Sequence, residues 1–164
     1  MIKLKQNQKS LALWAADCAE HVLLYFEKEY PKDDRPKKAI EATRAWVSGE
    51  ISVGAARAAA FTAHAAAREA KGNNAACFAA RAAGQAVATA HVPQHAFGAA
   101  YYALKVVAVA NSINADVKIA KELNCQSQHL PKNLGQIWKD WQDKQLPKNL
   151  QSVMKKLKVS HSKK

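Results

Sequence analysis

The residues best suited to chemistry in this chain are four of its six histidines, His21, His64, His91 and His95. Asp17 and His21 stand four apart, as do His91 and His95, a spacing that places two side chains on one face of a continuous helix. Val92-Pro93 lies inside the second pair, and proline removes a helical hydrogen bond, so an unbroken H-x3-H face is not expected there. Brought together by a bundle, these groups would offer imidazole and carboxylate ligands to a divalent cation, but no H-E-x-x-H or C-x-x-C element accompanies them. The expectation is no metal and no cofactor, with Asp17, His21, His91 and His95 as weak candidates only. His21 is expected instead as a hydrogen-bonded core histidine among Trp14, Cys18 and Tyr25, and His91 and His95 at a helix junction. Cys18 or Cys77 beside a histidine is a poor nucleophile, because both fall on predicted apolar helix faces where a thiol is usually inert. A phosphate-cradling glycine loop, a nucleophile elbow and a dinucleotide fingerprint are missing from the sequence. No catalytic residue is assigned, and a metal-dependent or thiol enzyme ranks third among the functions considered.

Arg57, His64, Arg68 and Lys71 follow one another at spacings of seven, four and three, which lines them along one side of a helix with Phe61 inside the stripe. A solvated basic face accounts for such a stripe without any partner. The sharper expectation is a docking surface for an acidic protein. Phe61 would be its apolar anchor and the arginines its bidentate donors, with Arg81 and Gln85 on the next helix extending it.

The C-terminal stretch suggests different chemistry. Residues 130–164 hold nine lysines against Asp140 and Asp143, so +7 of the net +12 lies there. Trp138 and Trp141 with Lys155, Lys156 and Lys158 make a nucleic-acid alternative, in which lysines neutralise phosphates and tryptophans stack on bases. A solubilising tail is the plainer expectation. Leu130-Pro131-Lys132-Asn133-Leu134 recurs as Leu146-Pro147-Lys148-Asn149-Leu150, each copy preceding a short amphipathic stretch. Two copies are too few for a solenoid and predict two short helices.

The elements that must position these residues are written in alanine, the best helix former. The chain has 34 alanines in 164 residues, and 23 of the 49 residues from Ala55 to Ala103 are alanine. Capping and breaking residues divide the sequence. A first helix is expected from Ser10 as N-cap to about Glu29, stopped by Pro31, and a second from Pro36 to Ser48 behind Asp33-Asp34-Arg35 and before Gly49. Ser52 caps a third to about Lys71, and Asn73 or Asn74 caps a fourth to about His91. Pro93 starts a fifth to about Ala110, and a weaker sixth spans Ala115 to Cys125. The fold class is therefore all-α, a compact bundle of five to six main helices with two short C-terminal helices. Residues 1–129 would form the bundle domain, and 130–164 a basic extension packed on it. The alanine helices should approach closely, since interaxial distance depends on the side chains at the contact. Trp14, Tyr25, Phe26 and Trp46 would cover them. Gly84 and Gly98, mid-helix at a cost of roughly 1 kcal/mol each, mark expected helix-to-helix contacts.

Composition removes other classes. No apolar run approaches the about 18 residues of a membrane span. Met1-Ile2-Lys3-Leu4-Lys5 is not followed by the apolar stretch of a secretory signal. Three cysteines, Cys18, Cys77 and Cys125, fit reduced thiols and a cytoplasmic location better than a disulfide framework.

A set of local sequences points to a family: Trp14-Ala15-Ala16-Asp17-Cys18-Ala19-Glu20-His21-Val22-Leu23, then Asp33-Asp34-Arg35-Pro36, Ala39-Ile40-Glu41-Ala42, Arg44-Ala45-Trp46 and Gly49-Glu50-Ile51. With the alanine helices and the stretch from Ala90-His91 to Ala99-Ala100-Tyr101, they resemble the immunity proteins of bacterial polymorphic toxin systems over about residues 10 to 110. The resemblance implies an all-helical, non-enzymatic protein that binds and neutralises a cognate toxin. It brings no catalytic residues with it. Inhibitors of nuclease toxins are typically acidic, so a basic chain of this type implies a toxin with an acidic surface or a contact away from the lysine tail.

Overall fold

The computed structural model describes residues 1–153, and every regular element among them is helical. A short α1, Ile2–Gln6, leads into α2, Gln8–Glu27; α3 spans Arg35–Ser48, α4 Val53–Glu69 and α5 Asn74–Ala88. Helix α6 runs His95–Ala110 and α7 Ala115–His129, after which a 3-10 turn, Lys132–Leu134, opens α8, Gly135–Gln145. Residues 148–153 are helical again. The all-α bundle is the expected one.

Local chemistry explains most of the boundaries. Ser52 Oγ accepts the N–H of Ala55 at 3.1 Å, and Asn73 Oδ1 accepts that of Ala76 at 3.1 Å, so Asn73 rather than Asn74 caps α5. Gly49 ends α3 with φ of 87°, a left-handed C-cap that a side chain would strain. Two starts differ from expectation, those of α2 and α6. Ser10 does not cap the first long helix, because α1 precedes it and α2 already begins at Gln8. The start of α3 carries the expected aspartate acceptor: Asp33 Oδ1 takes the N–H of Arg35 at 3.1 Å, while Asp34 at the N-cap makes no capping bond and pairs instead with Lys38 at 2.9 Å. Pro93 does not start α6, which begins at His95 after a turn whose N–H groups bond back to Ala86, Val87 and Ala88. Helix α7 runs four residues past Cys125, where Gln126 is locked by bonds from its Nε2 to the Ala100 carbonyl and to Glu122.

Helix α5 lies at the centre, packed by α2, α3, α4 and α6. Its nine buried residues are alanine, Gly84 and Val87, a surface small enough for neighbours to close on every side. Each buried alanine stabilises little, at about 25 cal/mol per Å² of apolar area. The larger apolar groups are supplied around it by Trp14, Val22 and Phe26 of α2, Ile40 of α3 and Phe97 of α6, whereas Tyr25 and Trp46 are only half-buried.

The two leucine-proline repeats dock in different places. Leu130 and Leu134 of the first copy join the main core with Trp138, while Leu146 and Leu150 of the second pack with Leu104, Ile119, Leu123 and Val153. Trp141 touches both clusters. Trp138 is 2% exposed; its ring meets Trp14 edge-on at 5.2 Å and stacks on Phe97 and Trp141, each at 5.4 Å. No helix among the described residues is long and apolar enough to cross a membrane.

Candidate functional site

Helix α4 and the α5–α6 turn enclose a cleft of about 210 Å³. Arg57, Ala60, Phe61 and His64 come from one face of α4, at spacings of three and four that a helix aligns; Ala88, His91 and His95 come from the end of α5, the turn and the start of α6. Arg57, Phe61 and His64 of the stripe and the junction histidines, separate in sequence, thus line one cleft. Phe61 stands at its edge and is 65% exposed, an unusual place for a large apolar ring.

The cleft is built on the two mid-helix glycines. A Cβ on Gly84 would lie 2.6 Å from the His64 ring, so the absent side chain is what lets the imidazole sit on α5. A Cβ on Gly98 would lie 2.8 Å from Gln85 Oε1 in the same way, placing Gln85 between α5 and α6. Gln85 Oε1 in turn lies 2.7 Å from His95 Nδ1, the spacing of a ring N–H donating to the amide oxygen. The helix-to-helix contacts expected at these glycines are therefore made by polar side chains.

Electrostatics inside the cleft are one-sided. Burial, and then Arg81, Arg68 and His95, push His64 down to about 4, and Arg81 Nη1 lies 3.4 Å from its Nδ1. His91 is lowered by burial and by Arg57, and His95 by burial and by His91, whose ring centroid is 5.1 Å away. Three neutral imidazoles at neutral pH thus line a cleft beside fixed cations. Residues 51–115 contain five basic side chains and one acid, Glu69, which is bonded to Arg35. Among the described residues Arg57, Arg68, Lys71 and Arg81 form no ion pair.

The other candidates lie elsewhere. Asp17 is bonded to Arg44 at 3.0 Å, alongside Glu20. His21 is not a core residue: its side chain is 40% exposed and pairs with Glu122 of α7 at 3.2 Å. Its place at the edge of the apolar stripe of α2 leaves it facing a carboxylate instead of the interior. No three His, Cys, Asp or Glu side chains among the described residues could share a metal ion. Lys71 lies beyond the end of α4, and neither it nor Arg68 nor Arg81 lines the cleft. Cys18 is buried, which pushes its thiol well above the usual range, and Cys77 is half-buried. Trp138 cannot stack on a base while its ring fills the core, and Trp141 is half-buried against it. Lys155, Lys156 and Lys158 lie outside the described residues.

The Glu122 hydrogen bond raises His21 above its ordinary 6.5. A raised imidazole adds stability that is fully present below 6.5 and lost as pH climbs through the folded value. His21→Gln should therefore destabilise the fold at pH 5.5, by about 0.3–1 kcal/mol for so exposed a pair, and leave it unchanged at pH 8.5. Urea unfolding at the two pH values checks this; an equal loss at both would remove the ion pair as its cause.

A family model described as Imm-5 like putative immunity protein matches residues 3–133. The chain belongs to this family. The match reaches past the stretch from 10 to 110 at both ends, taking in most of α1, all of α7 and the first four residues of the first leucine-proline copy of this immunity-family protein. No curated protein and no solved structure matches it. The signals that could have located the cleft are the mid-helix glycines, which pointed to contacts on α5 and α6; nothing local indicates that their occupants are His64 and Gln85.

Proposed function

We propose that this protein acts without catalysis, by binding a bacterial toxin protein and blocking it, and that the contact surface is the face of α4 with the adjoining cleft. The family supports the immunity role. The observation that carries the choice of surface is Phe61, an exposed aromatic ring beside Arg57 and an aperture lined by histidines. Aromatic and arginine side chains dominate binding energy at protein interfaces, because a ring buries much area and a guanidinium pairs bidentately with a carboxylate. The sign of the charge predicts an acidic partner surface at this point.

The test is co-expression with the toxin encoded beside the gene, with growth and complex formation as readouts. Protection and a stable complex are expected. Phe61→Ala should weaken the complex about tenfold or more, the loss of one interface anchor, without unfolding a chain in which this ring is exposed. A folded chain that neither binds nor protects would overturn the reading.

A further inference from the structure

We propose that the cleft receives a single carboxylate side chain from an acidic loop of the protein partner, held between Arg57 and the three histidines, while Phe61 covers the apolar residue next to it. This rests on the immunity reading for the identity of the partner, and on the cleft itself for the chemistry. Size is the first argument. At about 210 Å³ the cleft falls below the 300–1,000 Å³ of typical small-molecule sites, a volume that suits one side chain. Charge is the second. The polar groups that face an occupant are Arg57 and His64 from α4, His91 from the turn and His95 from α6, with Arg81 of α5 and Arg68 of α4 acting on His64 from outside the lining. None is acidic, and the nearest carboxylate in sequence, Glu69, already binds Arg35. A neutral or cationic group entering there would meet unpaired guanidinium charge; an anion would neutralise it.

Binding of a carboxylate carries a proton with it. The imidazoles are neutral in the free chain because burial lowers all three from 6.5, joined by Arg81 and Arg68 at His64, which is pushed to about 4, by Arg57 at His91 and by His91 at His95. A carboxylate beside them favours the charged form, so a proton is taken up and affinity rises as pH falls. Each proton taken up changes the dissociation constant by up to tenfold per pH unit between the free and bound values.

The full-length chain titrated with a capped Phe-Glu dipeptide, following the histidine ring signals by NMR, tests this. Phe-Glu should shift the rings of His64, His91 and His95, bind about tenfold more tightly at pH 5.5 than at pH 7.5, and weaken about tenfold in Arg57→Gln with an unchanged unfolding temperature. Equal binding of Phe-Gln, equal shifts with inorganic phosphate, or affinity independent of pH would each overturn the proposal. The same variant and pH series applied to the toxin complex separates the two readings. Toxin binding indifferent to Arg57→Gln and to pH removes the cleft as the contact and leaves the immunity role. Dipeptide binding without any toxin binding removes that role and leaves the carboxylate receptor.

Discussion

Trp138→Ala should destabilise the protein by about 3–5 kcal/mol, the usual loss when a large buried aromatic side chain is cut back and its cavity only partly collapses. That is a sizeable share of the roughly 5–15 kcal/mol that holds a typical domain together, and it should lower the unfolding temperature by roughly 10 °C. The reason lies in what the ring touches. Trp138 sits between Trp14 of α2, Phe97 of α6 and Trp141 of its own helix, all within 5.4 Å between ring centroids. Trp14 is itself fastened by its indole N–H to the Gln126 carbonyl at 2.8 Å, so the same aromatic group connects α2, α6, α7 and α8. Trp138→Phe should cost far less, within about 1.5 kcal/mol, since it retains the stack on Phe97 and deletes an indole N–H that has no hydrogen-bond partner among the described residues. Urea unfolding of both variants, followed by circular dichroism, measures the pair. A loss below about 1 kcal/mol in Trp138→Ala would mean that α8 contributes little to the folded core.

The second large effect is a reversal of sign. Gly84→Ala adds a methyl group 2.6 Å from the His64 ring, so the ring must leave its seat on α5 and give up the burial and packing it has there. It should destabilise by about 1–3 kcal/mol, as overpacked positions do. In a His64→Ala background the obstruction is gone, and the same substitution should stabilise by about 0.5–1 kcal/mol, the ordinary gain of alanine over glycine within a helix. The double-mutant cycle isolates this coupling. A spectroscopic readout accompanies it: a His64 ring expelled from its seat loses its burial and the proximity of Arg81, so its titration should rise from about 4 towards 6.5. Additive effects of the two substitutions would show that Gly84 is not the seat of His64.

Much of the fold was legible because its signals are local. Ser52, Asn73 and Gly49 act on backbone groups within a few residues of themselves, and alanine propensity acts residue by residue. Helix ends set by distant partners were not legible. The extension of α7 past Cys125 depends on Gln126 meeting the Ala100 carbonyl of α6, 26 residues away in sequence. His21 shows the same limit on one helix face: its spacing from Trp14 and Cys18 suggests the interior, yet Glu122 of α7 holds it near the surface.

The sequence by itself determined an all-α chain, an alanine-built centre, a basic stripe on α4 and the family to which these belong. Only the tertiary structure decided that the stripe and the junction histidines face each other, that Gly84 and Gly98 seat His64 and Gln85, and that Trp138 belongs to the core. The physical reason is the alanine itself. Helices with methyl-sized faces can close on one another in many relative rotations at little energetic difference per contact, so local pattern does not select a partner. The few bulky and polar side chains make that choice together, across separations of tens of residues, and the cleft is where their choice leaves an opening.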